Sequence, residues 1–206
     1  MVIRELKPSQ RVEGRWLAVL EDGSILRIGE GEVVSFSLYT GKELTGQEIS
    51  DLQHSAKCSG LKEKALNLLS RKPQSRKELE RKLSDWGASA QESQDICGRM
   101  EELGLLNERD YAQRIVRYYS TKGYGKGKIQ DELYRRGVPR ALWENAMEQT
   151  QDPLEFIERF LAKKLAGKTP DRQELTKVSN ALARRGYRWD DIHEGLRRYG
   201  AELEQW

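Results

Sequence analysis

The segment Ala162-Lys163-Lys164-Leu165-Ala166-Gly167-Lys168-Thr169 has the spacing of a phosphate-binding loop if alanine stands in for its first glycine. Such a loop must leave a strand and open a helix, so that backbone N–H groups meet the phosphates. Here the preceding pattern is helical and Pro170 follows. The segment therefore reads as a helix C-terminus, with Gly167 as the stop and the lysines facing the negative end of the dipole. Gly123-Tyr124-Gly125-Lys126-Gly127-Lys128 is a second glycine-rich stretch. It is not GxGxxG and no strand precedes it. It reads either as a permissive interhelical turn or as a close backbone approach to an anionic or protein surface, with two lysines and a tyrosine at hand.

Catalytic patterns are missing from the sequence. Ser, His and Asp occur without nucleophile-elbow spacing, and there is no HExxH. His193, between Asp191 and Glu194, reads as an exposed residue on a polar helix turn. Asp190 and Asp191 read as first-turn acids, which the helix dipole favours. Cys58 and Cys97 stand far apart without a CxxC, and His54 and His193 are farther apart still. Neither pair suggests a disulfide framework or a zinc site, and the pattern fits a reducing, cytoplasmic setting. The expectation is a protein that is not an enzyme and uses no cofactor or metal.

The charge is better placed than it is large. The formal net charge is only +3. Residues 114–140, however, hold eight basic side chains and two acidic ones. That run is either a solvated helix face or a surface for an anionic partner such as nucleic acid or an acidic protein. Charged residues make up 33% of the chain and the mean hydropathy is -0.80. Both values argue against a membrane span and against one large core, and favour small or thin modules.

The elements that must position these residues change near residue 45. Before it, Val12, Trp16, Ala18 and Leu20 are followed by a turn signal at Glu21-Asp22-Gly23-Ser24. Ile25, Leu26 and Ile28 come next, then Val33-Val34-Ser35-Phe36-Ser37-Leu38. This predicts a β-hairpin plus a third strand over 33–38, in a small β-rich segment spanning 1–44. Residues 45–60 predict a short helical linker, capped by Thr45 with Glu48 and ended by Ser59-Gly60. From Leu61 the pattern is helical throughout, with a capping box at Ser75 and Glu78.

An internal repeat organises the helical part. Leu79, Leu83 and Gly87 align with Ile129, Leu133 and Gly137, and again with Val178, Leu182 and Gly186. Each unit reads helix, helix, glycine stop, helix. The glycine serves where a helix ends in a left-handed residue. The predicted fold is mostly α: three tandem three-helix repeats over 61–107, 108–150 and 151–206, stacked into an elongated body behind the β-rich segment. Trp86, Trp143 and Trp189 fall at related places in the repeats and read as packing residues. Tyr187-Arg188-Trp189 and Tyr118-Tyr119 leave room for an exposed aromatic. Arg135-Arg136 and Arg184-Arg185 precede two of the repeat glycines. They read equally as helix-end charges or as a basic ladder on one face.

These residues carry a family resemblance. Arg76-Lys77-Glu78-Leu79, Lys82-Leu83, Glu102-Leu103-Gly104-Leu105-Leu106-Asn107 and Tyr111-Ala112 are similar to the RecX family. So are Tyr124-Gly125, Ile129, Glu132-Leu133 and Arg136-Gly137-Val138, and in the third unit Ala181-Leu182-Ala183-Arg184-Arg185-Gly186-Tyr187. The resemblance covers roughly residues 61–199 and leaves the β-rich segment outside it. It implies a cytoplasmic, cofactor-free regulator of the RecA recombinase, acting as a monomer. Such a protein binds the RecA–single-stranded-DNA filament along its groove, and inhibits recombinase, ATPase and co-protease activities. Single-stranded DNA is met directly or through the filament, and no membrane is involved. The contact surface expected from charge and aromatic placement is Arg117, Lys122, Tyr124, Lys126, Lys128, Arg135, Arg136, Arg184, Arg185 and Arg188. Two readings compete. One is a helix-turn-helix-like regulator of double-stranded DNA. The other is a nucleotide-using enzyme built on Gly167-Lys168-Thr169.

Overall fold

A computed structural model describes residues 1–148, 150, 152–166 and 170–200 of the 206. The contacts divide into two units. The first comprises Met1–Pro73 and Leu79–Leu105; the second comprises Gln74–Glu78 and the described residues from Leu106 onward.

In the first unit three antiparallel strands, β1 (Ile3–Pro8), β2 (Arg15–Leu20) and β3 (Ile25–Gly29), form a meander in the order β1-β2-β3. The β2–β3 turn is held by Asp22, whose Oδ1 accepts from the backbone N–H and the hydroxyl of Ser24. Alternation sends Ala18, Leu20, Leu26 and Ile28 to one face, where they pack with Ile3, Leu38, Leu44 and Leu52.

The predicted third strand at 33–38 does not exist. Glu30–Ser35 is a short helix, α1, and the third strand is Ile3–Pro8. Glu32 decides this. Its carboxylate accepts from Gly29 N–H at 2.9 Å, the hydroxyl of Ser55 at 3.0 Å and that of Ser59 at 2.6 Å. Capping and a shared polar anchor thus override the β-preference of Val33 and Val34.

The predicted linker ending at Gly60 is also corrected. α2 runs unbroken over Gly46–Arg71, with the Thr45–Glu48 capping box at its start. A helix-interior glycine costs about 1 kcal/mol relative to alanine. The helix tolerates it because Leu52 is buried in the sheet core before it, while Leu61, Ala65 and Leu69 are buried after it. α3 (Arg76–Asp85) and α4 (Ala90–Glu102) complete the first three-helix set.

The second unit holds α5 (Glu108–Thr121), α6 (Lys126–Arg135), a 3-10 turn at Arg140–Leu142 and α7 (Trp143–Met147). These are followed by α8 (Pro153–Leu165), α9 (Arg172–Arg184) and α10 (Trp189–Arg198). Each helix trio has its own apolar core. Ile115, Val116, Ile129 and Leu133 lie in one, and Ile157, Leu161, Leu182 and Ile192 in the other.

The glycine stops take one form. Gly87, Gly137 and Gly186 have φ of 86°, 72° and 86°. In each case the next residue returns its N–H to the carbonyl of a fully buried leucine: Ala88 to Leu83, Val138 to Leu133 and Tyr187 to Leu182. This is a Schellman cap made three times. Of the three tryptophans read as packing residues, Trp143 packs on its core and donates to the Val138 carbonyl at 2.9 Å. Trp86 is half-buried under Lys64. Trp189 is corrected: it is 51% exposed at the start of α10, where the preceding Tyr187 takes the buried place. Among the described residues no helix is long and apolar enough to cross a membrane.

Candidate functional site

The helical period of α5 places Gln113, Val116, Arg117, Ser120 and Thr121 on one stripe. That of α8 places Phe156, Arg159, Phe160, Lys163 and Lys164 on another. With Lys122, Ala146 and Arg185, these residues line a cleft of about 790 Å³ within the second unit. Six of them are cationic and none is acidic. The hydroxyl oxygen of Ser120 is buried there without a hydrogen-bond partner among the described residues.

The cleft has an aromatic side. Phe156 stacks on Tyr187 at 5.5 Å with the rings 6° apart, and Phe160 follows Phe156 at 6.1 Å. The Arg185 guanidinium lies over Tyr124, Phe156 and Phe160 at 5.5, 5.8 and 5.7 Å. It also donates to the carbonyls of Lys122 and Gly123, both at 3.2 Å. Arg185 is thus fixed by contacts within the protein. Burial pushes the Tyr187 phenol up to about 12. Lys122 lies 4.2 Å over the Tyr118 ring and donates to its hydroxyl, which raises the lysine pKa and keeps it charged.

A backbone junction borders this region. Gly125 N–H donates to the Arg185 carbonyl at 2.8 Å and Gly127 N–H to that of Gly186 at 3.0 Å. A Cβ on Gly125 would stand 2.5 Å from the Gly186 carbonyl oxygen. The glycine-rich stretch therefore makes its close backbone approach inside this protein, to the chain leaving α9.

The ten residues expected at a contact surface fall into distinct settings. Arg117, Lys122 and Arg185 line the cleft, while Tyr124 and Lys126 line a small adjoining hollow. The Lys128 backbone abuts Gly186. Arg184 is exposed, and Arg188 is exposed beside Asp190 at 3.6 Å. Arg135 is exposed but bonded to Glu132 at 2.6 Å. Arg136 is mostly buried, between Glu78, Glu132 and the Tyr111 hydroxyl. Burial opposes its charge, yet the bond to Tyr111 and the nearby Glu78 raise its pKa on balance.

Sequence reasoning did not find Phe156, Arg159, Phe160, Lys163 or Lys164 as site residues. Their signal was the shared 3–4 spacing that puts cations and aromatic rings on one helix stripe. In the sequence alone the lysines read as charges facing the helix dipole. Gly167, Lys168 and Thr169, the core of the phosphate-loop reading, lie outside the described residues.

Repeated three-helix sets define a helical-repeat protein, and its relatives identify the family. Residues 107–147 match the second three-helix domain of RecX, and residues 62–100 the first. The regulatory protein RecX of Pseudomonas putida strain GB-1 is 37% identical over 130 residues, which is 62% of this chain and 83% of that protein. That of Pseudomonas syringae pv. tomato strain DC3000 is 35% identical over 130 residues, 62% of this chain and 84% of that protein. This chain belongs to the RecX family of regulatory proteins. The crystal structure of RecX from Lactobacillus salivarius is similar at 26% identity and a TM-score of 0.64, covering 70% of this chain and 97% of that one. Another regulatory protein RecX of known structure, at 20% identity, matches with a TM-score of 0.73 over 94% of this chain and 98% of its own. At that coverage the shared fold extends into the N-terminal sheet.

Proposed function

We propose that this protein regulates the RecA recombinase by binding the RecA–single-stranded-DNA filament and inhibiting its recombinase, ATPase and co-protease activities, with the cleft between α5 and α8 as a principal contact. Family membership supports the RecA assignment. The single observation that carries the contact is the cleft lining, with six cations, two phenylalanines and no acid. Cations hold phosphates or an acidic surface, and ring faces or guanidinium planes accept stacked bases regardless of sequence. Exposed Lys126 lines the adjoining hollow and adds a further cation. Holding one filament state better than another shifts its population without any chemistry by the regulator.

Three observations weigh against a helix-turn-helix reader of double-stranded DNA. Such a reader inserts the N-terminal part of its last helix into the major groove. Here α7 has only five residues. α10 carries Asp190 and Asp191 in its first turn. α4 carries four acids, Glu92, Asp95, Glu101 and Glu102, against one arginine. Acidic helices are repelled by phosphates.

The test is RecA-catalysed, single-stranded-DNA-dependent ATP hydrolysis titrated with this protein at fixed salt. Inhibition near stoichiometric ratio is expected. The pair Lys163→Glu and Lys164→Glu should raise the concentration for half-inhibition by at least about tenfold, as about 1.4 kcal/mol of lost contact gives. The pair Lys126→Glu and Lys128→Glu should weaken it as well. No effect of the wild-type protein on the filament would overturn the function. Full inhibition by the Lys163/Lys164 variant would remove the cleft from the contact.

A further inference from the structure

His54 and Cys58 stand one turn apart on α2, and the first turn of α4 brings Glu92 against them, all within the first unit. Cys58 Sγ lies 3.6 Å from His54 Nε2 and 3.7 Å from Glu92 Oε1, and His54 Nδ1 lies 3.6 Å from the same oxygen. One donor atom from each residue can be chosen so that all three lie within 4.8 Å of one another. Bonds of about 2.0–2.3 Å around a tetrahedral zinc place ligand atoms roughly 3.3–3.6 Å apart. An ion takes one histidine nitrogen, so two of the separations are near that spacing and the third is within 4.8 Å before any ion enters.

We propose that His54, Cys58 and Glu92 form a binding site for a zinc-type divalent transition-metal ion, with water as the fourth ligand. The donor set is that of borderline-soft metals, a thiolate, an imidazole and one carboxylate oxygen, rather than that of calcium or magnesium.

The two oxygens of Glu92 are already divided between two jobs. Oε2 accepts from Ser89 N–H at 2.7 Å and from Lys57 Nζ at 2.8 Å. Oε1 faces the thiol and the imidazole. The contacts on Oε2 fix the carboxylate's orientation, as outer-shell partners do at metal sites. Lys57 also reaches Oε1 at 3.1 Å, but its side chain is 46% exposed. It can yield that oxygen to a metal and keep the other. The His54 ring is exposed and turns about its side-chain bonds to present one nitrogen. Burial and the Glu92 charge hold the Cys58 thiol above its ordinary pKa, and a dication offsets both. Binding transfers the thiol proton to solvent as the metal–sulfur bond forms. The ion would tie α2 to the start of α4. A search for paired cysteines or histidines misses the site, because its ligands are one His, one Cys and one Glu from two helices.

The test is titration of the untagged full chain with Co(II), followed by displacement with Zn(II). One equivalent of cobalt should produce thiolate-to-cobalt charge transfer and the strong visible bands of a tetrahedral site. Cys58→Ser should abolish the charge transfer, and Cys97→Ser should leave it intact. In competition with a chromogenic chelator, Cys58→Ser should weaken zinc by at least about 100-fold, beyond the ~10–100-fold typical of an outer-shell residue. His54→Ala, at an exposed position that leaves the fold intact, should also lose the tetrahedral bands. A cobalt complex without charge transfer, a spectrum unchanged in Cys58→Ser, or undiminished zinc affinity in His54→Ala would overturn the proposal. None of these readouts depends on RecA.

Discussion

Gly125→Ala isolates close backbone approach from backbone strain. Gly125 has φ of -78° and ψ of 170°, which any residue adopts. Alanine therefore meets no conformational penalty there. Its Cβ would lie 2.5 Å from the Gly186 carbonyl oxygen, 2.6 Å from that carbonyl carbon and 2.7 Å from Tyr187 N. All three are backbone atoms and cannot rotate away. The junction must open, and opening it stretches the bonds from Gly125 N–H to Arg185 and from Gly127 N–H to Gly186. Two backbone hydrogen bonds at about 1 kcal/mol each, with an overpacking cost of about 1–3, give roughly 3–5 kcal/mol. Gly87→Ala is the contrast. Gly87 has φ of 86° and nothing within 4 Å of its Cβ position. Alanine there costs only the left-handed strain, about 1–2 kcal/mol. Urea denaturation of both variants, followed by circular dichroism, measures the difference. A Gly125→Ala variant no less stable than Gly87→Ala would refute the argument that the glycine is there for approach.

Two further predictions concern stability. Arg136→Met removes the cation from Glu78, Glu132 and the Tyr111 hydroxyl and should cost about 2–4 kcal/mol in the same assay, with Glu78→Gln added to it recovering part of the loss. Glu32 controls acid sensitivity of the N-terminal unit: burial opposes its charge, but donation from Ser59, Gly29 and Ser55 holds its pKa below the ordinary 4.5. Its contribution is therefore present above about pH 4.5 and is lost as pH falls through the lower folded value. Urea midpoints from about pH 6 to 3 should fall more steeply for the wild type than for Glu32→Gln, and parallel curves would refute this.

The helical repeat was readable from sequence because its marks are local. Leu83-to-Gly87 spacing and its two copies encode a cap whose bonds close within six residues. The Ser75–Glu78 box is equally local, and both of its bonds form, at 3.0 and 3.1 Å. Residues 33–38 misled because what makes 30–35 helical is Glu32 meeting Ser55 and Ser59, residues more than twenty positions away. Gly60 misled for a related reason: its helix is stabilised by burial on both sides of it. The basic run at 114–140 includes residues of α5 that supply one wall of the cleft. The opposite wall, Phe156 to Lys164, lies on α8, and nothing local in the sequence marks that it shares a cleft with α5.

In the paired arginines before Gly137 and Gly186 the first sits in the last helical turn, and the second does more than face the dipole. In each pair the first, Arg135 or Arg184, is exposed, and the second reaches back to earlier chain. Arg136 meets Glu78 and Tyr111, and its carbonyl accepts from the Ser75 hydroxyl. Arg185 meets the carbonyls of Lys122 and Gly123, and its carbonyl accepts from Gly125 N–H. Ser75 and Gly125 are equivalent in the repeat, so the same clamp is made twice, once through a side chain and once through bare backbone. The glycine version joins the two backbones directly, and the Arg185 guanidinium lies over Phe156 and Phe160 as part of the cleft. Arg136 and Arg185 are thus held by the fold itself. Loss of function at either would report first on architecture. Arg117, Lys163 and Lys164 line the cleft without that structural task, and charge reversal there tests the proposed contact with the filament.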